Sequence, residues 1–354
     1  MSLTKITTIK SLHEYLYRAL QLEHATIPPY LTAMYSIHPG TNSDAQHILR
    51  VVVVEEMLHL TLVANLLNAV GGKPDLTGAG FVPKYPAYLP DGEKDFEVSL
   101  ERFSKLAVET FLKIERPGHA PSESARRRPR RAEQCIVSCP VDPEYEFYSI
   151  GEFYEEIARG FEYLHKELGP RLFSGDPKRQ ITPEYYYSGG GELHVVTDLA
   201  SARAAIRLIA EQGEGKGGSI YSSEGELAHY YRFDQLVRGR YYQAKDKEHE
   251  PTGPELRVDW GAVYPLKTNA RVVDYLEFHE LRAAADAFNG AYADFLASLT
   301  AAYNGEPQVL MQAVPQMFRL RNGMLQLIHN PLPGSAGKNA APTFEIAGRK
   351  GGTP

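Results

Sequence analysis

Over residues 11–37, Leu16, Leu20, Ile27, Leu31 and Met34 recur at the three- and four-residue spacing of one helical face, and Glu23 falls in the middle of that stripe. Pro28 and Pro29 lie inside the same run; each should cost about 3 kcal/mol unless the helix kinks or the freed backbone groups find other partners. Residues 38–44, HPGTNSD, read as a turn, with Ser43 or Asp44 capping the next helix. The stretch 45–72 has four consecutive valines that suggest a strand. It is too long for one, however, continues through the helix-forming EEMLHLTLVANLLNA, and stops at Gly71 and Gly72. Ile48, Val52, His59, Val63 and Leu66 share its apolar stripe, with Glu56 close beside it. Two antiparallel helices joined near residue 40 bring Glu23 level with Glu56 and His59.

Residues 73–142 break this pattern. The Pro- and Gly-rich KPDLTGAGFVPKYPAYLPDG reads as an irregular insertion over one end of the bundle, followed by a short helix over 99–114. The basic run at 126–131 reads as part of a solvated loop. Asp142 and Pro143 form a cap and first position for a helix reaching Leu168. Glu152, Glu155 and Glu156 lie within it. Distance from the helix end favours Glu152 as the inward carboxylate, whereas the helical wheel puts Glu156 nearer the apolar stripe; Ser149 and Glu152 would form a capping box if the helix starts late. After a flexible break at 188–192 comes a helix over 199–212. A further one over 222–239 carries a second Glu-x-x-His, Glu226 and His229. Helices over 277–303 and 306–327 and an extended tail complete a mainly α chain. The expected organisation is a metal-binding bundle over 1–242 and a C-terminal helical extension, 243–354, packed on it.

Composition narrows the partners. The hydrophobic and charged fractions, 43% and 23%, are those of a soluble globular protein. A formal net charge of −6 argues against nucleic acid or an anionic membrane. No apolar run approaches the roughly 20 residues that span a bilayer. The N-terminus enters an amphipathic helix without a signal-peptide core, so the expected location is cytoplasmic. Cys135 and Cys139 are too few for a disulfide framework and lack the neighbours of a zinc site.

The candidate chemistry comes from the order Glu23, Glu56-x-x-His59, Glu152, Glu226-x-x-His229, the ligand order of a di-iron or di-manganese four-helix bundle. Carboxylates bridge two cations and neutralise their charge, and each histidine adds one terminal nitrogen. Buried carboxylates without such partners would be costly. The competing reading has each Glu and His satisfying one another in an ordinary core.

The segments LYRALQLEHATIPPYLTAMYSI, VVVVEEMLHLTLVANLLNAVGGKPDL, SIGEFYEEI, ELAHYYRFDQL and the late PLPG and APTFE resemble the ferritin-like domain of the iminophenyl-pyruvate dimer synthase family, over about residues 10–346. That domain also occurs in a violacein-pathway enzyme. The resemblance implies a ferritin-like bundle with added helices and supports the same six ligands. The expected activity is that of a non-haem di-iron oxidase or oxygenase, with two Fe ions (or Mn) and O2 as co-substrate, acting on a small amino-acid-derived or aromatic metabolite. Two alternatives stand beside it: a protein that oxidises or holds iron without an organic substrate, and a degenerate scaffold with a structural role. A homodimer is the assembly left open.

Overall fold

The computed structural model describes residues 5–90, 94–118, 147, 149–186, 189–216 and 219–346. Its helices are α1 (Ile9–Ser36), α2 (Ser43–Ala69), α3 (Lys105–Ile114), α4 (Ile150–Leu168), α5 (Leu199–Glu214), α6 (His229–Arg238), α7 (His279–Ala302) and α8 (Ala313–Ile328). Short 3-10 helices and isolated β-bridges accompany them among the described residues.

The α1–α2 hairpin forms the centre of the molecule. Thr8 opens α1 with a capping box, its hydroxyl accepting from the Ser11 amide while Ser11 reaches back to the Thr8 amide. The antiparallel register is visible in two side-chain contacts: His13 Nε2 sits 2.8 Å from the Val70 carbonyl, and Thr26 Oγ1 donates to Glu56 Oε2 at 2.8 Å. Leu16, Leu20 and Tyr30 on α1 and Leu49, Val52 and Val63 on α2 are buried against this seam and its neighbours. Helix α4 packs on α5, α3 on α6, and α7 on α8; α1 also meets α4 and α8, and α2 meets α5 and α6.

Helix α1 runs through both of its prolines. Position 29 would normally donate its amide to the Ala25 carbonyl, and Pro29 has none to give. The Tyr85 hydroxyl donates to that carbonyl instead, at 2.8 Å. The irregular insertion thus supplies the hydrogen bond that the helix cannot make for itself.

Four helices start later than their sequence suggests: α3 at Lys105 instead of near 99, α8 at Ala313 after a 3-10 turn over Pro307–Gln312 instead of near 306, and also α4 and α6. Helix α4 begins at Ile150, capped by Ser149, whose hydroxyl accepts from the Glu152 amide at 3.1 Å; Asp142 and Pro143, like Cys135, Cys139 and the basic run at 126–131, lie outside the described residues. Helix α6 begins only at His229. The residues before it fold into a turn: Gly225 has φ +80°, Tyr221 bridges Leu227, and the Ala228 amide donates to the Ile220 carbonyl. Among the described residues no helix is long and apolar enough to cross a membrane.

Candidate metal centre

Five buried side chains from four segments converge between α1, α2, α3 and α6. They form two overlapping triads, Glu23–Glu56–His59 and Glu56–Glu115–His229, in each of which one ligand atom per residue lies within 4.8 Å of the others. Glu56 belongs to both. His59 Nδ1 is 3.3 Å from Glu23 Oε2 and 3.8 Å from Glu56 Oε1. His229 Nδ1 is 3.0 Å from Glu56 Oε1 and 3.4 Å from Glu115 Oε2. The two imidazoles stack with their centroids 5.5 Å apart and their planes inclined by 27°.

The far side of every ligand is held. The Tyr154 hydroxyl donates to Glu23 Oε1, Thr26 to Glu56 Oε2, and Tyr30 to Glu115 Oε1 at 2.5 Å. Each carboxylate therefore has one oxygen fixed by a hydroxyl and the other turned towards a histidine. Burial raises both tyrosines well above the usual phenol range, reinforced by Glu115 at Tyr30 and by Glu23 at Tyr154, so both stay protonated and donate. His59 Nε2 lies 2.8 Å from Gln212 Oε1. The Gln212 amide nitrogen donates to the Gly190 carbonyl, which fixes the amide's orientation and makes His59 Nε2 the proton donor. Gly190, at φ +96°, runs so close to Glu55 that an added Cβ would sit 3.0 Å from its Cγ. The glycine break thus packs over the centre's outer layer. His229 Nε2 faces the Glu55 carboxylate at 2.7 Å, which makes it a donor too. Both rings are left with Nδ1 pointing inward.

This arrangement fits a pair of divalent cations. His229 Nδ1 is buried and has no hydrogen-bond partner, although two carboxylate oxygens lie within 3.4 Å. A lone pair aimed among carboxylates is unfavourable by itself, and a cation between them reverses the sign. Three carboxylates and two imidazoles balance most of the charge of two divalent ions, and the N/O donor set suits iron or manganese. Protonation behaves accordingly. Burial, then the charge of Glu115, pushes the Glu56 carboxyl up to about 7. Burial opposes protonation of both histidines, but Glu23 and Glu56 raise His59, and Glu115, Glu55 and Glu56 raise His229 well above its ordinary value. Burial also disfavours the Glu55 anion, but the hydrogen bond to His229 and the charges of His229, Arg232 and His59 together outweigh this and hold that carboxyl below the usual range.

Of the six ligands expected from the sequence, Glu23, Glu56, His59 and His229 come together. Glu152 and Glu226 do not. Glu152 occupies the first turn of α4, where its amide completes the Ser149 cap. Its neighbours are no nearer: Glu155 is exposed, and Glu156 binds the Ile6 amide and Arg159. Helix α4 meets the centre through Tyr154 instead. The side chain of Glu226 is 62% exposed and pairs with Arg232 at 3.1 Å. The Glu-x-x-His spacing aligns two side chains only on a helix, and Glu226 precedes α6. Glu115, which caps the C-terminus of α3, supplies the missing carboxylate. Its signal was present: Val108, Phe111 and Glu115 are spaced three and four apart, so Glu115 continues the buried face of that helix.

Residues 16–238 match the ferritin-like family model. The chain is 26% identical over 341 residues to dichlorochromopyrrolate synthase of Lentzea aerocolonigenes, covering 83% of this chain but only 29% of that protein, so it spans under a third of that relative's length. Among solved structures it is similar to a ferritin-like protein from Caulobacter vibrioides: TM-score 0.62, 22% identity, 96% of this chain and all of that one covered.

Proposed function

The chain belongs to the ferritin-like family, and on that premise we propose that it is an O2-dependent di-metal oxidoreductase acting on a small aromatic or amino-acid-derived metabolite. The observation that carries this reading is the pair of buried triads sharing Glu56, with the inward nitrogen of His229 unpartnered between two carboxylates. Glu56 would bridge two iron ions, Glu23 and His59 would complete one half-site, and Glu115 and His229 the other. Two redox-active metals held there would supply the electrons for O2 reduction, and these five residues are the carboxylate and imidazole set that carries such pairs in helical bundles.

The protein's own contribution is positional. The hydroxyls of Tyr154, Thr26 and Tyr30 each hold one carboxylate oxygen, so that the other keeps its direction. Gln212 and Glu55 fix both imidazole tautomers, and the burial of all five ligands keeps bulk water from the reacting groups. The metabolite class rests on the relative, whose name describes the making of a chlorinated pyrrole acid. Elemental analysis of protein purified without chelators tests the reading. Close to two irons per chain, falling by about one in each of His59→Ala and His229→Ala, together with O2 uptake on an aromatic 2-amino or 2-imino acid, is expected. Metal content well below one per chain and indifferent to those substitutions would refute it.

A further inference from the structure

The two halves of the centre match closely. Each has one terminal glutamate bonded to a tyrosine hydroxyl, one histidine presenting Nδ1, and a share of Glu56. They differ in what receives the outer N–H of the imidazole. Behind His59 it is the neutral amide of Gln212, at 2.8 Å; behind His229 it is the carboxylate of Glu55, at 2.7 Å. A charge-assisted hydrogen bond is roughly twice as strong as a neutral one. By drawing on the outer proton it makes the opposite nitrogen a stronger donor to a metal, and losing such an outer partner typically weakens metal binding about 10- to 100-fold. Glu55 also brings a negative charge to one half only. Arg232 offsets part of it, at 3.5 Å from Glu55 Oε1, but is itself shared with Glu226.

We infer that the half-sites are inequivalent by construction: the Glu115–His229 half binds its metal first and more tightly than the Glu23–His59 half, and Glu55 is the positioning residue that sets the order. This rests on the di-metal reading of the site.

The test is titration of metal-free, full-length protein with Co(II) alone, followed by calorimetry and the visible spectrum. Two steps in the wild type are necessary but insufficient, because two cations sharing Glu56 repel each other whatever the half-sites are; the variants decide. His59→Ala is expected to keep the tight step and His229→Ala to lose it. Glu55→Gln, which preserves shape and can still accept the hydrogen bond, should weaken the first step about 10- to 100-fold with little change in the second. Gln212→Glu should tighten the second step, and circular dichroism confirms that each variant is folded. If the tight step survives in His229→Ala and disappears in His59→Ala, or if Glu55→Gln leaves the first step unchanged, the inference is overturned while the di-metal centre stands. Failure of the wild type to approach two Co(II) per chain would overturn both.

Discussion

Removing the Tyr85 hydroxyl should destabilise the helix that carries Glu23 and Thr26, and by an amount that depends on Pro29. The hydroxyl is buried and donates at 2.8 Å to the Ala25 carbonyl, whose usual helical donor at position 29 is a proline. Tyr85→Phe keeps the ring and leaves a buried acceptor without that donor, a loss of about 1–3 kcal/mol. In a chain of this size the thermal midpoint should fall by roughly 1–4 °C. In a Pro29→Ala background, residue 29 regains an N–H and can make the helical bond, so Tyr85→Phe removes a second donor instead of the main one. The cost should then shrink to about 0.5–1.5 kcal/mol, the net value of an ordinary hydrogen bond. The coupling in a double-mutant cycle, measured from urea midpoints at a common slope, is therefore on the order of 1 kcal/mol. Equal costs in the two backgrounds would show that the hydroxyl does not stand in for the missing helical donor, and the account of how α1 tolerates its prolines would fail.

Two further outcomes follow from the centre itself. Glu226→Gln and Glu152→Gln should retain wild-type metal content by elemental analysis, because neither carboxylate is among the converging ligands, whereas Glu115→Ala should lose about one metal per chain; a reversed pattern would restore the ligand set suggested by the repeated Glu-x-x-His. Metal affinity should rise with pH. Glu56, at about 7, and the histidines, raised by their carboxylates, hold protons at pH 6 that a metal must displace. Affinity is therefore weakest below pH 6 and levels off once these groups have released their protons. Calorimetry at pH 6 in buffers of different ionisation heat should detect proton release, and none would contradict the assignment.

The half of the site on the α1–α2 hairpin was legible because two long helices and a short turn leave one geometric solution: Glu23 and Glu56 are nearly equidistant from residue 40. His229 was legible too, through a spacing whose helical premise does not hold, since Gly225 and the Tyr221–Leu227 bridge turn the chain before α6. Glu152 was misread because distance from the helix end does not say which way a side chain faces, and the Ser149 cap places Glu152 in the first turn of α4. Glu115 escaped notice as the residue just past a short helix, where a carboxylate beside a Pro-containing loop looks solvated. Glu55 and Gln212 carry no sequence signal, because their role depends on which ring nitrogen each meets in the folded chain.

The centre also joins parts of the chain at very different separations. Thr26 and Glu56 meet across 30 positions within one hairpin, whereas Glu55 and His229 meet across 174. Closing the longer loop costs about 1.6 kcal/mol more entropy by the logarithmic scaling of chain closure. The Glu23–Glu56–His59 half is thus a local product of the hairpin, and the Glu115–His229 half exists only once the rest of the bundle has docked. In folding, the half-site that closes last is the one inferred to hold its metal more tightly, so metal captured there acts as a clasp on the completed fold.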